Sequence, residues 1–553
     1  MLTLLACAAT SSHASLPGCE ADFTPAPSGY NFVKALRPEP DLPRGTVIGT
    51  IHYTRLPVFD ETDPTENNVV FRWANRFHVI STERTIEREV LLRPGDRYDE
   101  HSLEESARIL RSAGYLYDAD IRPVRLCDGV ADVEVITRDV WSFTPEVSFD
   151  RSGGENSSQF GIAETNLLGS GRTVSFASSN DVDRKSTSFG LEDRNIGGRR
   201  IAGKLSWIDS DDGYHQFARF QKPFFELNSR QAWLVSADRV ARDDTQYFRG
   251  QKVSALQHEI DEYIASVGFS PGLTGNMTKR LRFGYTYRED RFGPASDLPA
   301  PAAVPDDRRL SYPFVELALI EDNYVRATNI NQIHRTEDLH IGLSASLFLG
   351  AATIALGSDE TRFVFRADAS DTLLYTDTSL LQHEANLSGV YNRSRQHTEN
   401  VVANYAIRYY RAQTTHRAFF AQVKTTWTDN LDASSQVVMG GQTGARAFDN
   451  RLQTGDRSLL LTLEERQYTD LHILGLVRVG FAAFIDAGRA WTPGVDDGLA
   501  NDILADFGVG LRLASSKTNV GGIAHVDVAF PLTNRSEPGV SGVQVSITLQ
   551  DTF

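Results

Sequence analysis

From Trp141 to the end of the chain, apolar and polar residues alternate with a period of two in one short run after another. The clearest runs are at residues 458–466, 476–488, 507–513 and 524–530. In a β-strand, alternate side chains point to opposite faces, so each run would present one apolar and one polar face. Gly-, Ser- and Asp-rich turns separate the runs, and signals for helices largely disappear. The pattern predicts an all-β region.

The size of this region favours a barrel over a soluble sandwich, although alternation alone fits both. Roughly four hundred residues of strands without helices fit one large transmembrane barrel better than a sandwich domain. In the last run Val545, Ile547 and Leu549 alternate with polar residues, and the sequence stops at Phe553. A closing strand needs no turn after it, and an aromatic end can lie in the interfacial girdle. We predict a barrel over residues 141–553 whose closing strand carries these four side chains.

The barrel must close where its first and last strands meet. About twenty candidate runs are visible, and an even number of strands is expected because both chain ends should lie on one side. The first strand, near residues 143–150, would pair with the last, at residues 543–553. Pro145 removes a backbone donor and belongs at a strand start or sheet edge. It marks either a weak seam or simply the linker that enters the barrel.

Residues 45–140 have a different, mixed pattern. Strands are predicted at 46–53, 119–126 and 131–137, and helices at 81–92 and 101–113. Residues 127–129 form the turn between the last two strands. The predicted order is β-α-α-β-β, which defines a small α+β domain before the barrel.

The first 14 residues look like a short signal peptide that ends at Ala14, although no basic residue precedes its apolar part. Lipoprotein processing at Cys7 is an alternative. Residues 15–44 would then be an N-terminal extension. Removal of the signal leaves Cys19 and Cys127, which either pair in an oxidising compartment or remain two separate thiols.

The composition excludes some classes of function. The net charge of −16 argues against a nucleic-acid partner, which would require a basic face. His residues are scattered and no Cys cluster exists, so no metal site or cofactor is expected. The stretch from Gly268 to Gly272 matches the Gly-x-Ser-x-Gly hydrolase motif, but Pro271 and the lack of a following helix argue against a nucleophile elbow. We therefore do not expect an enzyme.

Several motifs resemble those of the BamA/TamA superfamily of outer-membrane assembly barrels, also called bacterial surface antigens. In the first domain, residues 91–121 resemble a POTRA domain. In the barrel, four segments and the terminal Phe resemble the superfamily; the segments are NLLGSGR (166–172), GGQTGARAFDN (440–450), FIDAGRAW (484–491) and DVAFPL (527–532). The resemblance implies a bacterial outer-membrane barrel of about 16 strands with one POTRA-like domain in the periplasm.

The resemblance also implies a site inside the barrel. In the superfamily, a loop that folds into the lumen carries an Arg in a Val-Arg-Gly-Phe/Tyr motif, which corresponds here to Arg446 and Phe448, with Ala447 in place of Gly. That Arg pairs with acidic residues on the next two strands, and the matching positions are Glu464 and Asp486. The alternation independently places both carboxylates on the lumen face. On alternation alone they could be unrelated lumen charges.

The sequence leaves two functions open. One is insertion or translocation of unfolded outer-membrane or secreted proteins, with outer-membrane lipid around the barrel and periplasmic or lipoprotein accessory factors as further partners. An exposed sheet edge in the first domain and a weak barrel seam could both accept client strands. The alternative is a passive pore or surface antigen. A single POTRA-like domain, fewer than assembly members usually carry, weakens the case for a central assembly role.

Overall fold

A computed structural model describes residues 23–33, 42–43, 45–495, 499, 502–518, 522–538 and 540–550. The chain divides into two compact units, Met1–Val140 and Trp141–Phe553. This boundary coincides with the change in sequence pattern at Trp141. The predicted signal peptide lies outside the described residues.

The N-terminal unit contains a three-stranded sheet in the order β1-β3-β2, with β1 parallel and β2 antiparallel to β3. Its elements are β1 Val47–Leu56, α1 Val69–Phe77, α2 Glu83–Glu87, α3 Glu100–Arg111, β2 Leu116–Cys127 and β3 Val130–Asp139. The core lies between the sheet and the two helices α2 and α3, and includes Ile86, Leu110 and Val133. Positive φ angles at Asp128 and Gly129 allow the tight turn from β2 to β3.

The predicted helix at residues 81–92 is wrong in its length, and the predicted helix count is wrong as well. The helical part is only α2, since Val90 and Leu92 continue into the core as non-helical chain and Pro94 prevents continuation. The additional helix α1 makes the order β-α-α-α-β-β. No helix in the described part of the chain is long and apolar enough to cross a membrane.

The second unit is a closed antiparallel barrel. Its strands in chain order are β4 Phe143–Ser152, β5 Glu155–Glu164, β6 Arg172–Asn180, β7 Lys185–Asp193, β8 Ala202–Ser210, β9 Gly213–Lys222, β10 Gln231–Phe248, β11 Gln251–Phe269, β12 Leu273–Thr274, β13 Met277–Pro294, β14 Arg308–Glu321, β15 Tyr324–Ala327, β16 Glu337–His340, β17 Ser344–Ala352, β18 Arg362–Tyr375, β19 Ser379–Asn392, β20 His397–Thr414, β21 Arg417–Asp429, β22 Val437–Met439, β23 Gln453–Gly455, β24 Arg457–Ile473, β25 Val477–Trp491, β26 Leu504–Ser515, β27 Ile523–Pro531 and β28 Gln544–Gln550. Short 3-10 turns lie at Leu167–Gly169, Ile196–Gly198, Ile354–Leu356 and Gly441–Thr443.

The wall of the barrel has 20 strands, so the count of about 16 taken from the family resemblance is wrong. The short β12 only extends the hairpin between β11 and β13, and the pairs β15–β16 and β22–β23 are separate two-stranded sheets. Each remaining run of alternating residues pairs as a complete strand. The sequence runs are therefore whole strands rather than halves of longer ones.

The exposure pattern of the wall is the reverse of that in a soluble protein. Large apolar side chains point outward, as in Val509, which is 58% exposed, whereas Arg512 on the same strand points inward and is 0% exposed. Such an arrangement is stable only where the outside of the barrel contacts an apolar solvent. The outward side chains also include Phe160, Phe176, Trp207, Phe283, Trp427 and Phe481.

The wall is uneven in height. The six strands from β4 to β9 contain nine or ten residues each, whereas β10, β11, β13 and β20 contain 18 or 19. We call the end of the barrel at which β4 begins the proximal end, and the opposite end the distal end.

The N-terminal unit should fold without the barrel because it has its own core. A fragment of residues 15–140 is expected to unfold cooperatively on heating. Leu110→Ala, which removes a fully buried side chain, should lower its free energy of unfolding by about 2–5 kcal/mol. The matched control is Leu126→Ala, because Leu126 is 41% exposed. Circular dichroism would measure both; a fragment without a cooperative transition would contradict the prediction.

Candidate lumen site and barrel seam

The segment between β21 and β24, at the distal end, folds back into the barrel. Its residues 440–450, here called the lumen loop, reach inward-facing side chains of β24, β25 and β27. The loop turns sharply at two glycines. A Cβ at Gly440 would lie 2.2 Å from the carbonyl oxygen of Asp449, and Gly444 has a φ of +117°. Both positions therefore require glycine.

The structure brings the three predicted charged residues together. Arg446 Nε donates to Asp486 Oδ2 at 2.7 Å, and its terminal nitrogens lie 3.4 and 3.5 Å from Glu464 Oε2. Thr462 also donates to Asp486, at 2.8 Å. The guanidinium lies over the ring of Phe484, 3.3 Å from its centroid. Arg446 thus bridges two neighbouring strands from inside the barrel.

Three further members of this group, Asp527, Arg512 and Arg466, were not predicted. Arg446 Nη1 donates to Asp527 Oδ2 at 3.1 Å, and Arg512 pairs with both Asp527 and Glu464. Arg466 donates to Glu464 at 3.0 Å. All three lie in the polar phase of the alternating runs at 458–466, 507–513 and 524–530, and Asp527 begins the DVAFPL motif, so a signal for each was present in the sequence.

The charged group is buried, which determines its energetics. Glu464, Asp486 and Asp527 are at most 4% exposed. Burial alone would lower the pKa of Arg446, but the Asp486 carboxylate raises it well above its ordinary value. Removing one partner of a buried ion pair typically costs about 3–5 kcal/mol, because the other charge stays in a poorly solvated place. The group is thus expected to fix the position of the lumen loop.

Phe448 lies in the apolar part of the lumen loop and not in the charged group. It is fully buried in a cluster that includes Met439, Leu460 and Phe484. Ala447, which replaces the family's glycine, has no positive φ, so alanine fits here without strain. Its backbone N–H donates to Asp506 Oδ2 at 3.2 Å.

The lumen loop also contacts the first and the last strand of the barrel. Asn450 Nδ2 donates to the carbonyl oxygen of Ser152, at the end of β4, at 2.9 Å. Gln544 Nε2, at the start of β28, donates to Asp449 Oδ1 at 2.8 Å. A Cβ at Gly153 would lie 2.3 Å from the backbone nitrogen of Asn450, so the close approach of the lumen loop to the end of β4 requires glycine at this position. The loop therefore connects the two strands that close the barrel.

The ladder between these two strands is short. Every residue of β4 pairs with β5, and all of β28 pairs with β27. Between β4 and β28, within the described residues, the ladder has one pair, Arg151 with Ile547. The Leu549 backbone N–H donates to the Asp150 side chain at 3.2 Å instead of to a backbone carbonyl. The barrel closes at this seam mainly through side chains and the lumen loop.

A second segment folds into the barrel at the proximal end. Residues 322–343, here called the proximal insert, connect β14 to β17 and contain the hairpin β15–β16. Ile333 and Leu339 of the insert are buried in one cluster with Tyr410 and Tyr468 of the wall. The insert thereby packs against β20 and β24, which lie beyond the strands next to it.

Polar contacts join the proximal insert to the charged group. Tyr410 Oη donates to the Asn329 carbonyl at 2.6 Å, and Arg466 Nη1 donates to the Ile330 carbonyl at 3.1 Å. Because Arg466 also binds Glu464, one arginine contacts both the insert and the group around Arg446. Among the described residues, Arg446 lines a polar cavity of about 610 Å³ and a cavity of mixed polarity of about 930 Å³.

The other predicted residues are placed as follows. Val545 and Leu549 point outward and are 43% and 45% exposed, whereas Phe553 lies outside the described residues. Cys127 is disulfide-bonded, and since both other cysteines lie outside the described residues, the pairing with Cys19 stays a prediction. Ser270 follows β11 in a turn before β12, with no helix after it.

The described ranges contain no group of three or more His, Cys, Asp or Glu residues that could hold a metal ion. No family model matches the chain.

The chain is similar to solved structures of BamA and CdiB. BamA from Haemophilus ducreyi, lacking POTRA domains 1–3, is 12% identical over 90% of this chain and 84% of its own, with a TM-score of 0.37. CdiB from Acinetobacter baumannii is 13% identical over 85% and 72%, with a TM-score of 0.39. The FrpB iron transporter from Neisseria meningitidis is 8% identical over 78% and 87%, with a TM-score of 0.40. TM-scores of this size do not distinguish between functions. The function therefore has to be inferred from the contacts within the chain.

Loss of the Arg446 guanidinium should release the lumen loop while the barrel stays folded. We expect Arg446→Ala to make residues 440–450 sensitive to protease, because about 3–5 kcal/mol of buried pairing is lost. Arg446→Lys should restore little protection, since an ammonium lacks the planar fork that binds two carboxylates. Limited proteolysis with mass spectrometry measures the cleavage.

The matched control for this experiment is Arg417→Ala. Arg417 pairs with Glu465, but its side chain is 53% exposed, and such surface pairs contribute little. A lumen loop that stays as protected in Arg446→Ala as in the control would contradict the prediction.

Proposed function

We propose that this protein inserts proteins into, or translocates them across, a bacterial outer membrane. The observation that carries the proposal is the seam between β4 and β28, which has one ladder pair within the described residues. A barrel strand with unpaired backbone groups is a template to which another strand can add.

The outer membrane is proposed as the location because the barrel has apolar residues outside and charged residues inside. Such a barrel satisfies its backbone polar groups within the wall and is stable in lipid. The N-terminal unit would then lie in the periplasm, on the side of the proximal end. This location is consistent with the disulfide at Cys127, because disulfides persist in oxidising compartments.

The lumen loop supports a role for the seam in the activity. It holds β4 through Asn450 and β28 through Gln544, while Arg446 anchors it to β24, β25 and β27. Among the described residues, release of the loop would leave the two edges joined by the ladder pair of Arg151 and Ile547 and by the hydrogen bond from Leu549 to Asp150. The loop is therefore proposed to control whether the seam opens.

The filled lumen favours this function over a passive pore or a surface antigen without assembly activity. The lumen loop occupies it from the distal end and the proximal insert from the proximal end. A diffusion pore requires a continuous water-filled channel. The two segments are linked through Glu464 and Arg466, and together they occupy part of the space that such a channel would need.

Unfolded outer-membrane or secreted proteins are the proposed clients. The edge strands β1 and β2 of the N-terminal sheet could bind an extended client segment by backbone hydrogen bonds, which tolerate many sequences. Periplasmic or lipoprotein accessory factors could use the same edges. We propose no catalytic activity and no cofactor, because strand addition requires neither bond cleavage nor a prosthetic group.

Reconstitution in liposomes tests the proposal directly. An unfolded barrel protein should fold into vesicles that contain this protein faster than into empty vesicles. Folding is measured by the change in electrophoretic mobility of the unheated client. Equal folding rates in loaded and empty vesicles, together with rapid leakage of small solutes, would instead indicate a passive pore.

A cross-link across the seam should abolish this acceleration. Arg151→Cys with Ile547→Cys places two thiols at the paired positions of β4 and β28. The control, Ile162→Cys with Phe176→Cys, places them at paired, outward-facing positions of β5 and β6. Oxidation of the seam pair should return client folding to the rate in empty vesicles, and reduction should restore it. Acceleration that survives seam oxidation would refute a role for seam opening.

A further inference from the structure

Helix α1 of the N-terminal unit turns its apolar side outward. Val69, Val70, Trp73 and Phe77 are 62, 71, 62 and 67% exposed. At 3.6 residues per turn these four side chains fall on one side of the helix. Helix α3 of the same domain has the usual arrangement, with its apolar residues buried in the core.

The exposed side is held in place by the opposite side of the helix. Phe71 stacks on Phe59 with 4.1 Å between ring centroids. The Asn75 side chain accepts from the Phe59 N–H at 3.1 Å and donates to its carbonyl at 2.9 Å. Asn68 caps the helix by accepting from the Phe71 N–H at 2.9 Å. The orientation of α1 is therefore fixed, and the apolar side cannot turn inward without breaking these contacts.

The charges of the helix indicate the chemistry of what covers this side. Its only charged residues are Arg72 and Arg76, which are exposed along one flank of the apolar side. Acidic side chains in the preceding loop serve local contacts, such as Asp60 with Thr62 and Glu66 with the Asp60 N–H. Aromatic residues beside arginines are typical of a helix that lies in a membrane interface, where the guanidinium groups reach lipid phosphates.

The chain itself keeps this helix near a membrane. Only Val140, Trp141 and Ser142 separate the last strand of the domain from the first strand of the barrel wall. Three residues extend about 10 Å at most. The side chain of His78, which follows α1, contacts that of Asp139 at the end of β3 at 3.0 Å, so α1 lies at the end of the domain from which this linker leaves. The linker therefore limits how far α1 can move from lipid headgroups, whereas a soluble partner has to reach it by diffusion.

We propose that α1 docks on the bilayer surface beside the barrel, with Val69, Val70, Trp73 and Phe77 below the headgroups and with Arg72 and Arg76 bound to anionic lipid phosphates. This docking goes beyond the proposed function, because it requires the barrel to be in a membrane but not that the barrel inserts clients.

A fluorescent label on α1 of the full-length protein tests the docking. Native cysteines are replaced by serine, and a polarity-sensitive fluorophore is attached at Val70→Cys or, as the control, at Glu100→Cys on α3. Each protein is reconstituted in vesicles of phosphatidylcholine with or without phosphatidylglycerol. Lipids with brominated acyl chains should quench the label on α1, more strongly with phosphatidylglycerol, and should not quench the label on α3.

Variants separate the apolar contribution to docking from the contribution of the two arginines. Trp73→Ser with Phe77→Ser should abolish the quenching. Arg72→Gln with Arg76→Gln should lower the ratio of docked to undocked helix in anionic vesicles roughly thirtyfold. A matched loss of charge at exposed positions away from α1, Arg93→Gln with Arg97→Gln, should leave the ratio unchanged.

Three results would overturn the proposal. One is equal access of aqueous iodide to the labels on α1 and α3. Another is quenching that rises with the number of protein molecules per vesicle, which would indicate a second copy of the chain. The third is burial of the label only after an unfolded client is added. Client folding in the same vesicles is scored separately, so a failure of docking is distinguishable from a failure of the proposed function.

Discussion

The pairing of one buried guanidinium organises the interior of this barrel. Arg446 cannot lie in the lumen unpaired, since an isolated buried charge is strongly destabilising, and its partners come from β24, β25 and β27. That requirement draws the lumen loop inward from the distal end. Arg466 shares Glu464 with Arg446 and contacts the proximal insert, so both segments that fill the lumen depend on one set of carboxylates.

At the seam, the barrel is closed both by contacts within the wall and by contacts from the interior. Among the described residues, every other pair of neighbouring wall strands shares a ladder of at least seven residue pairs. Between the described parts of β4 and β28 the ladder has one pair, and side chains and the lumen loop supply further contacts. Such a closure can be undone by moving a single loop, whereas undoing a full ladder requires breaking a whole row of backbone hydrogen bonds.

The sequence predicted what depends on local periodicity. Once a strand is recognised, a period of two fixes its faces, and Glu464 and Asp486 were placed in the lumen for that reason. The sequence did not predict that Asp527 belongs to the charged group around Arg446. That contact depends on strand register and on the path of the lumen loop, which are set by residues far apart in the chain. Helix α1 was missed because its apolar side is not part of the core. The predicted number of strands was wrong because the value implied by the family resemblance, about 16, was used in place of the count of about twenty alternating runs.

The uneven height of the wall has a consequence for the lipid around it. Strands of nine or ten residues, tilted by about 40°, rise roughly 23 Å, whereas those of 18 or 19 rise roughly 46 Å. The hydrocarbon core of a bilayer is about 30 Å thick. The short strands β27, β28 and β4 to β9 are contiguous and include the seam. A bilayer that matches this side has to become thinner there, so its acyl chains are most compressed and most easily displaced beside the seam, where the described residues of β4 and β28 share one backbone pair.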